Sequence, residues 1–200
     1  MTPGASNYIL SMGRWQPDAR GRLQQAALEL YGERGFDNTT VAEIAEHAGL
    51  TKRTFFRYFA DKREVLFSGA QELEELFVSA VTAAPPAAAP LDAVVFALDS
   101  VAAMFEERRA FAARRQQIIA ANPELQEREL IKLASLAAAV ARALRARGVA
   151  DSAAILTAEA GITVFRVSFE RWVDPRNERP LRQLMDESLE QLRGVTAAGA

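Results

Sequence analysis

Cysteine is absent from the 200-residue chain, and histidine occurs once. The first absence excludes disulfides, thiolate metal sites and a cysteine nucleophile, and it suits a reducing compartment. The second leaves no pair of imidazoles from which to build a metal site, so His47 reads as a surface residue. No apolar run approaches the about 18 residues that span a bilayer, and Met1 to Gly13 lacks the basic start and apolar stretch of a secretory leader. β-Branched runs are scarce, and neither a glycine-rich phosphate loop nor a nucleophile elbow is present. The expectation is a cytoplasmic protein with no membrane partner, no cofactor, no metal and no catalytic residue.

Half of the residues are apolar, enough for a sizeable core without staples. Alanine dominates, and proline and glycine fall between segments instead of inside them, so the chain reads as all-α. No internal repeat of fixed period occurs. The alanine-rich pieces Ala83 to Pro90 and Thr196 to Ala200 read as a linker and a tail.

The densest stretch runs from Thr40 to Leu66. Thr40 with Glu43 makes a capping box, in which each side chain satisfies an orphan N–H at the helix start. Ile44, Ala45 and Ala48 face inward, and Gly49 ends the helix because it can take the left-handed conformation that closes the turn. Thr51 caps a second helix, Lys52 to Phe59, whose apolar face is Phe55 with Phe59. Asp61 with Glu64 reads as a second capping box. Two short helices joined by a tight glycine turn, the second bearing cations and hydroxyls on its free face, describe a helix-turn-helix that reads a DNA major groove. From Thr51 to Arg63 five cations stand against Asp61 alone, a local excess of +4 on a chain whose net charge is −2. That patch is an electrostatic footprint for phosphates.

Chemistry divides the roles. Lys52 and Arg53 can donate to guanine O6 and N7, Thr54 can meet a thymine methyl or a phosphate, and Phe56 offers an apolar edge to thymine methyls or else fills the core. Arg57, Tyr58 and Lys62 are placed for phosphates, as are Thr40 and Thr51 at their helix starts. Arg14, Arg20 and Arg22 lie at or before the first helix, where they form either an arm toward the DNA or a solvated helix start.

This stretch resembles the DNA-binding segment of the TetR family of bacterial regulators. The match comprises Ile44-Ala45, then Ala48-Gly49-Leu50-Thr51, the run Thr54-Phe55-Phe56-Arg57-Tyr58-Phe59, and Lys62 followed by Leu66. Phe56 stands where the family usually has a tyrosine whose hydroxyl touches a phosphate, which removes one backbone contact. The resemblance implies a ligand-responsive transcriptional regulator, a repressor, that binds a palindromic operator in double-stranded DNA as a homodimer and is released by a small-molecule effector. It also implies the architecture: an N-terminal arm and helix-turn-helix domain over residues 1–65, three helices of the total of about nine, and a larger helical ligand-binding and dimerisation domain over 66–200.

Along the rest of the chain, Asp18 to Arg34 reads as a bracing helix with Leu23, Ala27, Leu30 and Tyr31 on one face. Lys62 to Val81 reads as one long helix joining the two domains. Helices follow from Leu91, from about Arg108 to Ala121, from Pro123 to Arg147, from Asp151 or Ser152 to Asp174, and from Pro180. The last two correspond to the family's four-helix dimer interface. Phe77, Phe96, Met104, Phe105, Phe111, Ile118, Ile119, Phe165 and Phe169 are the bulky residues that could line an apolar effector pocket, or equally form plain core. Arg114-Arg115 before Ile118-Ile119, then Asn122-Pro123-Glu124-Leu125, resembles the C-terminal domain of a TetR subgroup that responds to acyl-coenzyme A compounds. Arg115 would then meet a phosphorylated head, whereas the plain alternative pairs these arginines with Glu106 and Glu107. A helical interaction protein that never touches DNA is the competing reading.

Overall fold

A computed structural model of the chain describes residues 19–197. Among these residues are nine helices and no strand: α1 (Ala19–Arg34), α2 (Val41–His47), α3 (Lys52–Tyr58), α4 (Ala70–Ala83), α5 (Pro90–Phe105), α6 (Arg109–Ala120), α7 (Pro123–Ala146), α8 (Asp151–Val173) and α9 (Leu181–Ala197). Arg14 and Asp18 lie outside the described residues, as do 198–200.

Helix ends follow local chemistry. Prolines open α5 and α7, where their missing N–H costs nothing. Gly35, Gly49 and Gly148 close α1, α2 and α7 at positive φ. Two arginines serve carbonyls at helix C-termini. Arg147 donates to Val81 and Ala84 (3.2 and 2.8 Å) and to Pro85 (2.7 Å) at the end of α4. Arg109 donates to Trp172 and Asp174 (3.0 and 3.1 Å) and to Asn177 at the end of α8.

Two hydrophobic cores form. The first joins α1, α2 and α3 through Leu23, Tyr31, Phe36, Ile44, Phe55 and Phe59, and continues into Val65, Leu66 and Phe67. Ile118, Ile119 and Leu125, from the α6–α7 corner, belong to it as well. The second core lies between α4, α5, α7, α8 and α9 and includes Phe77, Val94, Val140, Leu144, Phe165 and Leu184. Each fully buried Leu or Phe contributes about 1.5–3 kcal/mol relative to exposure. The separation expected between residues 65 and 66 therefore runs through packed side chains.

α8 is the one described helix with the length and mean hydropathy (1.3 over 18 residues) of a bilayer span. Its Ala158, Ile162, Phe165, Phe169 and Trp172 are buried inside the second core.

The helix expected from Lys62 begins only at Ala70. Residues 62–69 form successive turns instead, with N–H groups of Leu66, Phe67 and Ala70 donating three residues back at 3.0, 3.2 and 2.9 Å. Asp61 accepts the N–H groups of Arg63 and Glu64 (2.8 and 3.1 Å), as a cap should. Glu64 does not complete the box, because its carboxylate is taken by Arg128 and by Lys132 (3.5 Å) of α7.

Candidate nucleic-acid interface

The reading helix is positioned from below. Phe55 is wholly buried and its ring lies 5.5 Å from that of Phe59, so α3 sits on the first core by one face. Thr51 starts the helix, its hydroxyl accepting the Thr54 N–H at 3.1 Å. The Thr54 hydroxyl shares a further hydrogen bond with it at 3.0 Å, which turns Thr54 toward its own helix start. One helix earlier Thr40 and Glu43 close both halves of their capping box (3.3 and 2.8 Å). The Thr40 backbone N–H, then its hydroxyl, hold the Glu43 carboxyl below the usual carboxylate range.

Lys52, Arg53, Phe56, Arg57 and Tyr58 all project from the other face. Phe56 is 57% exposed, so of its two readings the core one is excluded; its ring meets the Phe55 ring edge-on at 5.5 Å. Arg57 lies over the Tyr58 ring (4.9 Å) and donates to its hydroxyl (3.1 Å), which fixes the pair as one cationic, hydroxylated plate. The side chains of Lys52 and Arg53 are exposed and make no hydrogen bond or ion pair with other described residues. Their donors are open to an incoming acceptor.

Lys62 has a different place from the expected one. Its ammonium donates to the carbonyls of Phe36, Asp37 and Thr39 at 2.8, 3.3 and 3.0 Å, and sits 4.3 Å from the Phe36 ring centroid. An ammonium has three donors, and all three are used. It braces the α1–α2 connection instead of facing a phosphate. Arg20 and Arg22 are likewise engaged, donating to the Ser68 carbonyl (2.5 Å) and the Ala48 carbonyl. His47 is exposed, as expected, and meets Glu29 at 2.9 Å.

The effector-side residues divide into three groups. Phe77, Phe105, Phe165 and Phe169 do assemble, with ring centroids 5.2–6.1 Å apart, and Trp172 completes the cluster 6.0 Å from Phe105. Trp172 stands three residues after Phe169 and seven after Phe165, so helical spacing alone could have placed it there. Met104 is half-buried nearby in sequence, whereas Phe96 and Phe111 are exposed at the surface. Ile118 and Ile119 belong to the first core, below the reading domain.

Arg115 does not face an apolar tunnel. Its Nε donates to the Leu66 carbonyl (2.7 Å), its Nη1 pairs with Glu129 (2.9 Å), and its guanidinium lies 5.2 Å from the Phe67 ring centroid. Burial pulls its pKa below the usual range and Glu129 opposes that shift. Arg114 crosses α1 at Gly32, where an added Cβ would stand 3.3 Å from its Nε. Arg108 pairs with Glu72 at 3.9 Å, not with Glu106 or Glu107. Arg109 and Arg115 are thus committed to structure, whereas Arg114 is exposed and Arg108 is one half of a long, solvent-facing ion pair.

A family model described as bacterial regulatory proteins of the tetR family matches residues 23–68, and one described as the MftR C-terminal domain matches residues 88–197. The chain belongs to the TetR family. Such proteins are DNA-binding transcriptional regulators and not enzymes, which agrees with the open cationic face of α3. The HTH-type transcriptional regulator TcmR of Streptomyces glaucescens is 39% identical over 82 residues, 41% of this chain and 36% of that one. An uncharacterized HTH-type regulator of Mycobacterium tuberculosis is 37% identical over 60 residues, 30% of this chain and 32% of its own. The chain therefore spans about a third of the length of these curated relatives. The crystal structure of Thermus thermophilus FadR, a TetR-family repressor in complex with lauroyl-CoA, aligns over 87% of this chain and 93% of that one at 25% identity and a TM-score of 0.55. FadR of Bacillus halodurans shares the fold at 19% identity over 90% and 96% of the two chains, with a TM-score of 0.58.

Proposed function

We propose that this TetR-family regulator is a homodimeric repressor in the cytoplasm, which holds a palindromic operator and leaves it when a small apolar molecule enters the aromatic cluster of the second core. The observation that carries the DNA half is the outward face of α3, where Lys52 and Arg53 are exposed and without an internal partner among the described residues. Those two read bases, Phe56 meets thymine methyls, and the Arg57–Tyr58 plate takes phosphates, with Thr40 and Thr51 beside them. Two-fold pairing would set two such faces about 34 Å apart, one turn of duplex. Leu156 of α8 and Val195 of α9 support that pairing, being 70% and 76% exposed on the two helices expected to form the dimer bundle.

For the effector, the packed cluster of Phe77, Phe105, Phe165, Phe169 and Trp172 offers apolar, polarizable walls. The lauroyl-CoA bound by the Thermus relative favours a fatty chain. With Arg109 and Arg115 committed to backbone carbonyls elsewhere, the chain and its carbonyl end are what this cluster would recognise, more than a phosphorylated head. Such a ligand shifts a population: it favours dimers with the cluster opened and the reading helices out of step with the grooves.

A mobility-shift titration on the DNA upstream of its own gene, with lauric acid and lauroyl-CoA as separate arms, tests this. Release by either, with a matching change in Trp172 fluorescence and a rise in Tm, is expected. No retarded band without effector would overturn the repressor reading, and release without a Trp172 response would move the pocket elsewhere.

A further inference from the structure

Residues 62–69 carry the marks of a helix start and yet are not a helix. Asp61 caps them, Leu66, Leu73 and Phe77 continue one apolar stripe, and no proline intervenes. In a continuous helix the Leu66 carbonyl would accept the N–H of Ala70, and the Ser68 carbonyl that of Glu72. Here the Ala70 N–H turns to Phe67 (2.9 Å). The Leu66 carbonyl accepts Arg115 Nε (2.7 Å), and the Ser68 carbonyl accepts Arg20 (2.5 Å). Two arginines from other helices bond to carbonyls that the helix would use, and the Tyr31 hydroxyl takes a third, that of Lys62 (2.6 Å). Arg115 is held in turn by Glu129, with only 19% of its side chain exposed.

We infer that residues 62–69 are a two-state joint, unwound while Arg20 and Arg115 hold these carbonyls and wound onto α4 when Arg115 withdraws. The mechanical link to the second core is short. α6 begins at Arg109, which is bonded to the carbonyls around Trp172, and carries Arg115 and then Ile119 into the first core. Opening the aromatic cluster therefore moves the helix that delivers Arg115. Rewinding eight residues from three-residue turns to α-helix shortens the joint by about 4 Å and rotates α1–α3 against α4. The wound form is the one that leaves DNA, since the clasped form has its aromatic cluster closed; this direction alone rests on the function proposed above.

Gly69 gives a clean handle. Its φ is −86°, and an added Cβ meets nothing within 4 Å. Gly69→Ala therefore changes helix preference by about fivefold without steric conflict. The test uses the full chain and its Gly69→Ala and Arg115→Gln variants, followed by 13Cα chemical shifts and amide exchange over residues 62–72. Neither measurement requires DNA or effector. Both variants are expected to move these shifts toward helical values and to slow exchange at Ala70 and Glu72, with the Tm of Gly69→Ala not lowered. Binding to the DNA upstream of the gene should then weaken by about fivefold or more. Unchanged shifts in Gly69→Ala, or shifts toward random coil in Arg115→Gln, would overturn the joint. Helical shifts with unaltered DNA affinity would overturn its part in release. If the unaltered protein binds none of this DNA, the repressor reading fails while the shifts still decide the joint.

Discussion

A methyl group placed on Gly161 of α8 would stand 2.3 Å from Cγ1 of Val94 on α5. Both residues are buried in the second core, and Val94 cannot swing aside because β-branching fixes its χ1. Only the missing side chain lets the two helices approach. Gly161→Ala is expected to cost about 1–3 kcal/mol in urea unfolding. Val94→Ala in the same chain should recover part of that loss, and strict additivity of the two changes would contradict the contact.

Arg53→Ala is expected to weaken binding to the cognate operator by about 1–3 kcal/mol and to flatten preference among operator variants. Lys52→Ala should act similarly, with a larger loss on the cognate operator than on random DNA. Equal losses for Arg53→Ala on specific and random DNA would remove its base-reading role. Lys62→Met belongs to another class, since it strips a donor from three carbonyls at once. A stability loss of about 1–3 kcal/mol with an unaltered salt slope is expected.

Tyr31 makes the alkaline limit of stability specific. It is buried, and its hydroxyl donates to the Lys62 carbonyl at 2.6 Å. Burial, with the Asp61 charge adding to it, pushes the phenol well above its ordinary range. The folded state thus prefers the protonated ring, so this contribution is complete below about pH 10 and is lost as pH rises further. Tyr31→Phe should cost about 0.5–1.5 kcal/mol at neutral pH and should shed that alkaline slope. Urea midpoints from pH 7 to 11 decide it, and an identical slope in both proteins would refute the assignment.

Leu156→Glu should separate the protomers. A carboxylate at this exposed apolar position would be desolvated in a dimer bundle, and a central hot spot is worth about 2 kcal/mol or more. Sedimentation should show the dimer dissociation constant raised by roughly thirtyfold. An unshifted equilibrium would exclude this face of α8 from the interface.

What could be read in the sequence is what depends on neighbours along the chain. The Thr40 box, the Gly49 turn, the Thr51 cap and the inward Phe55–Phe59 pair are all decided within a few residues, and each stands where the spacing put it. The joint after Asp61 went the other way because its carbonyls are claimed by Arg20, Tyr31 and Arg115, distant in sequence, and no local pattern reports a distant donor. Ile118, Ile119 and Arg115 looked like pocket lining for the same reason. Their chemistry was legible, but the direction in which α6 points was not.

Ile118, Ile119 and Leu125 seal the underside of the DNA-reading half from more than fifty residues beyond its last helix. That half is therefore not a portable cartridge. A chimera that grafts residues 1–68 onto another regulator's body would inherit an apolar floor cut for this α6–α7 corner, and specificity could be transplanted only if the corner travelled with it. Changes to the reading face of α3, which is seated by Phe55 and Phe59 on its other side, escape this constraint. Operator preference can drift there while the body stays fixed.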